Sequence, residues 1–200
     1  MRKLSLALVV LGLCAPLALA QNPAVLNWTG GTEYTVYYGN STGDVIGWDF
    51  IPNQTIYATH LGYYTDPNHA GLEGAHQVGI WDTQTQQLLA SAVIDRNDPI
   101  TGLFHYKPTS SLMLQQGKTY TIGGLDTADD NDWYVSGATT LDMAPEVTWT
   151  ASRYPTTGSL GFTFPALTST GRGRFGPNFM FVPEPATIAL LAFGLVLRRR

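Results

Sequence analysis

The chain has 200 residues, with 11 Lys and Arg against 15 Asp and Glu, a formal net charge of −4, and one cysteine. The acidic balance argues against nucleic acid, whose phosphates demand a basic face; divalent cations and neutral or cationic partners are more natural. A lone cysteine excludes an internal disulfide, so stability must come from a hydrophobic core.

In chain order, Met1-Arg2-Lys3 is a short basic region and Leu4 to Leu13 is apolar. The run closes with the small-x-small pair Ala18 and Ala20. This is the pattern of a secretory signal peptide over residues 1–20, cut by signal peptidase to leave Gln21 as the mature N-terminus. Cys14 follows Leu13, where a lipoprotein signal would place a small residue, which argues against lipidation.

Residues 21–182 are long enough for one domain with a real core. They hold six basic residues (Arg96, Lys107, Lys118, Arg153, Arg172, Arg174) and fourteen acidic ones, a net charge near −8. Short β-branched and aromatic runs predict strands at Tyr34–Tyr38, Val45–Ile51, Thr55–Tyr63, Gln77–Trp81, Gln87–Ile94 and Leu103–Tyr106. Further runs lie at Lys118–Gly123, Trp133–Val135, Val147–Thr150, Leu160–Phe164 and Phe175–Val182. Turn clusters such as Gly39–Gly43, Asp66-Pro67-Asn68 and Asn97-Asp98-Pro99 separate them. Ser110–Leu114 allows one helical turn at most. The expected fold is all-β: a single antiparallel β-sandwich or jelly roll, with a signal helix before it and a short hydrophobic helix after it. Gly79 to Ala92 reads as a hairpin between Trp81 and Leu89. Together with Gly117–Gly124, it makes the span Asp44–Val135 resemble the uncharacterised β-sandwich domains of secreted bacterial surface proteins.

One stretch carries candidate ligands. Asp126, Asp129, Asp130 and Asp132 supply four carboxylates within seven residues, and calcium takes six to eight oxygens. Trp133 beside them has the shape to stack on a sugar ring. The spacing lacks the glycine of an EF-hand, and a solvated acidic loop accounts for the same residues. Of the four histidines, His69 lies in a turn and His76 opens a strand, while His60 and His105 sit in strand-like runs; none has zinc-finger spacing. Gly171 to Gly176 matches G-x-G-x-x-G without the strand and helix that a dinucleotide site needs. No nucleophile elbow or catalytic triad is evident, so no catalytic residue is assigned and the chain is expected not to be an enzyme.

The chain closes with Val182-Pro183-Glu184-Pro185, an apolar run from Ala186 to Leu197, and Arg198-Arg199-Arg200. As a helix the apolar run reaches roughly 18 Å, short of a hydrocarbon core of about 30 Å, and the arginines would stay cytoplasmic. This order of motif, apolar run and arginine cluster over residues 183–200 resembles the PEP-CTERM protein-sorting signal. The resemblance implies that Pro183, Glu184 and Pro185 are recognised by an exosortase, with the apolar run and Arg198, Arg199 and Arg200 holding the chain at the membrane transiently. It also implies a Gram-negative host that makes exopolysaccharide, often in biofilms.

The expected function is thus an exported, non-enzymatic protein of the cell surface or extracellular matrix, with signal peptidase and an exosortase as its processing partners and exopolysaccharide as a candidate partner. Two alternatives stand beside it: a calcium-assisted carbohydrate-binding module, and a secreted hydrolase. Calcium is the only cofactor that the sequence suggests.

Overall fold

A computed structural model describes residues 20–35, 43–69, 71–127, 132–156 and 161–184. Residues 1–19 of the expected signal peptide, with Ala18, the loop residues Asp129 and Asp130, and residues 185–200, with Pro185, Arg198, Arg199 and Arg200, lie outside the described residues. Every described element is a β-strand, and every pairing is antiparallel. In order they are β1 (Asn22–Pro23), β2 (Val25–Tyr34), β3 (Asp44–Pro52), β4 (Ile56–Tyr64), β5 (His76–Asp82), β6 (Leu88–Ile94) and β7 (Ile100–Thr101). There follow β8 (Phe104–Leu114), β9 (Tyr120–Asp126), β10 (Tyr134–Met143), β11 (Val147–Tyr154), β12 (Leu167–Ser169), β13 (Gly173–Phe175) and β14 (Pro177–Pro183).

The strands make three sheets, in the orders β1-β14-β4-β8-β7, β12-β11-β3-β9-β5-β6 and β13-β10-β2. The period of two explains the core. In the six-stranded sheet the even positions Trp48, Phe50, Val78, Ile80, Tyr120 and Ile122 are all buried, because successive side chains in a strand leave opposite faces. They meet the buried face of the five-stranded sheet: the Phe50 and Phe179 rings lie 4.8 Å apart, Trp48 stacks on Phe179 at 6.1 Å, and Trp48 Nε1 donates to Pro177 O at 2.9 Å. The three-stranded sheet seals a flank through Trp28, whose ring packs on Tyr64, Phe104 and Phe175.

The other face of the six-stranded sheet has a row of glycines at one register, Gly47 opposite Gly123 and Gly123 opposite Gly79. A Cβ on Gly47 would fall 1.9 Å from Ile122 O, and one on Gly79 would fall 2.9 Å from the Phe162 ring. Close approach, and not backbone flexibility, requires these glycines. On the same face Arg153 forks onto Asp49, with Nε 2.7–2.8 Å from both carboxylate oxygens and a second nitrogen at 2.7 Å.

Four expectations need correction. Ser110–Leu114 is strand, not a helical turn: Leu112, Met113 and Leu114 pair with Ala58, Tyr57 and Ile56, and the serines fall where the register slips. Residues 161–164 are not strand: Phe162 and Phe164 alternate like a strand but pack on Trp81 at 5.1 and 6.4 Å, and Thr163 N donates to Gly161 O in a tight turn. Phe175–Val182 is two strands in different sheets, broken at Gly176, which lies against the Tyr63 ring. Trp133 precedes β10. Of the first predicted strand, Tyr34 ends β2, while residues 36–38 lie outside the described residues. The hairpin across Trp81 and Leu89 forms, as β5 and β6.

Candidate functional site

Antiparallel pairing gathers six strand ends at one pole. The first residue of β3, Asp44, faces the last of β9, Asp126; the last of β2, Tyr34, faces the first of β10, Tyr134; and β5 begins beside the end of β9. The end of β4 joins them, because Tyr63 stacks flat on His76, with ring centroids 3.8 Å apart.

Three side chains converge there from separate stretches. Glu33 comes from β2, while Asp66 and His69 come from the connection after β4, and each offers a ligand atom within 4.8 Å of the others. The connection is shaped locally. Asn68 N donates to Asp66 Oδ1 at 2.8 Å, the turn that an aspartate makes with its own backbone, and His69 Nδ1 pairs with Asp66 Oδ2. The Asp66 side chain is 1% exposed and that of His69 39%. Tyr64 Oη donates to Glu33 Oε1 at 3.3 Å. Burial first, and then the nearby Asp66 and Glu33 carboxylates, push the Tyr64 phenol well above its ordinary value, so it remains a donor.

The aspartates singled out in the sequence reach the same pole but lie inward. Asp126 is fully buried and Asp132 is 2% exposed. Asp132 accepts from Glu73 N and Gly74 N at 2.7 Å each and faces His76 Nε2 at 2.8 Å. On the other side of that ring, His76 Nδ1 donates to Leu125 O at 2.8 Å. Asp132 thereby ties the connection before β5 to the one before β10. Trp133 is half-buried against the core and stacks on the His69 ring at 4.2 Å, with 18° between planes. One of its faces is therefore occupied by protein. The remaining tryptophans, Trp28, Trp48, Trp81 and Trp149, are also buried or half-buried, and Tyr34 is the large aromatic that stands out at this pole, 46% exposed and stacked on Tyr134.

Sequence spacing missed the Glu33–Asp66–His69 group. The Asp66-x-x-His69 pair was legible as two ligand types in one turn, but Glu33 arrives only through the pairing of β2 with β10. His60 and His105 remain separate from it, His105 donating from Nδ1 to Asp98 O at 2.7 Å. Of the residues of the expected sorting motif, Pro183 ends β14 opposite Ile56, and Glu184 N donates to Thr55 O at 3.2 Å. Ala20 is exposed, just before β1. No helix among the described residues is long and apolar enough to cross a membrane. No family model and no curated protein matches the chain.

Proposed function

We propose that the chain is an exported, non-enzymatic surface or matrix protein, released or transferred by an exosortase acting at Pro183-Glu184-Pro185, whose two large sheets form a β-sandwich of the jelly-roll kind. One observation carries the reading. β1 starts at Asn22, just past the expected signal-peptidase cut, and β14 ends at Pro183, the first residue of the sorting motif. The two ends also pair, Asn22 opposite Phe181. β1 and β14 are thus neighbours at one edge of the five-stranded sheet.

The geometry adds a direction. β14 runs antiparallel to β4, so the tail leaves beside Thr55 and Ile56, while Tyr64 and Asp66 lie at the far end of β4. A nine-residue strand at about 3.3 Å per residue separates the two by roughly 30 Å. A domain held or delivered through its C-terminus presents the Glu33–Asp66–His69 pole away from the attachment.

The test is intact mass and location of the protein in its host, with and without the exosortase. A mass lacking both ends, lost without the enzyme, is expected. Unchanged processing and location after Pro183, Glu184 and Pro185 are all replaced by alanine would remove the sorting half of the proposal. The calcium-assisted carbohydrate-binding alternative is favoured by the exposed Tyr34 ring at the acidic pole. It predicts retention on polysaccharide and a calcium-dependent melting temperature, and the absence of both would eliminate it.

A further inference from the structure

We propose that Glu33, Asp66 and His69 hold one divalent transition-metal ion of the zinc class. Their ligand atoms lie within 4.8 Å of one another. Ligands held tetrahedrally by one zinc at about 2.0–2.2 Å sit roughly 3.3–3.6 Å apart, so an ion enters when the set draws in and His69 turns out of its direct contact with Asp66.

The charge arrangement favours a cation. Two carboxylates are crowded together, that of Asp66 with only 1% of its side chain exposed. Among the described residues neither makes an ion pair with a lysine or arginine. Like charges at this range repel, and a dication between them turns the repulsion into attraction. The ligand types select the metal: an imidazole nitrogen suits zinc, copper or nickel, whereas calcium takes oxygen.

The surroundings are those of a supported site. Tyr64 Oη orients Glu33, Asn68 N orients Asp66, and the Trp133 ring fixes the plane of His69; such outer contacts set ligand geometry. Three protein ligands and a half-exposed imidazole leave the fourth tetrahedral position open to water or to an oxygen of a ligand. The ion would also join the end of β2, in the three-stranded sheet, to the connection after β4, in the five-stranded sheet. The inference does not depend on the sorting reading.

The test uses the purified full-length chain, stripped with EDTA and titrated with zinc at pH 7.5 by calorimetry, with cobalt(II) as a spectroscopic probe. One equivalent of zinc is expected, together with visible cobalt absorption. At zinc a hundredfold above Kd the melting temperature should rise by roughly 5–10 °C. Glu33→Gln and His69→Ala should lose the stoichiometric binding and the cobalt bands while melting within a few degrees of wild type in EDTA. These two partly exposed positions decide the matter even where Asp66→Asn fails to fold. The absence of stoichiometric zinc, one equivalent retained by His69→Ala, or calcium binding in zinc's place would each overturn the proposal.

Discussion

Replacing Asp132 with alanine tests whether this carboxylate is a structural tie or an ion ligand. The substitution removes the acceptor for Glu73 N and Gly74 N and the partner of His76 Nε2. The two backbone donors lie in a partly exposed connection and can turn to water. His76, fully buried between Tyr63 and Leu125 O, cannot. A buried polar group left without its partner costs about 1–3 kcal/mol. With the two backbone donors, which solvent partly relieves, the expected loss is about 2–4 kcal/mol, a fall in melting temperature of roughly 10 °C for a domain of this size. The assay is urea unfolding at pH 7, with the exposed Asp142→Ala as control, each run in calcium and in EDTA. The loss should be the same in both solutions, and it should couple to a substitution at His76 in a double-mutant cycle by about 1 kcal/mol or more. A loss no larger than that of Asp142→Ala, or one that appears only in calcium, would refute the tie.

Two further predictions follow from the packing and the charges. Gly47→Ala drives a methyl group to within 1.9 Å of Ile122 O, so it should destabilise by about 3 kcal/mol or prevent folding, whereas Gly102→Ala, with φ at +61° and open space around it, should cost about 1 kcal/mol; equilibrium unfolding of the two variants measures the difference. Asp82 is held down to about 2, chiefly by its hydrogen bond with Lys118, at 2.6 Å, and then by Thr85 N. Its contribution is therefore fully present above about pH 4 and is lost as pH falls through 2, so the melting-temperature gap between wild type and Asp82→Asn should close between pH 5 and pH 2.

Much of the fold was legible because its cause is local. The β-branched and aromatic runs Val45–Ile51 and Gln77–Trp81 mark strands, and the turn before Leu88 follows from polar residues between two apolar runs. Where local pattern misled, a distant surface decided. Phe162 and Phe164 alternate as a strand does, yet their partner is the Trp81 ring on a glycine-floored sheet face. Gly176 looks neutral within an apolar run, yet the Tyr63 ring beside it accompanies the change of sheet between β13 and β14.

The sequence by itself determined the class of the fold, the acidic character of the domain and the chemical order of its two ends. These follow from composition, period and short motifs, which need no knowledge of distant neighbours. The tertiary structure alone decided which acids stand together. Asp132, conspicuous in an acidic run, is turned inward because buried donors of two other segments require it. Glu33, unremarkable in its own strand, meets Asp66 and His69 because antiparallel pairing brings six strand ends to one pole. Register, which is a long-range property, sets that meeting.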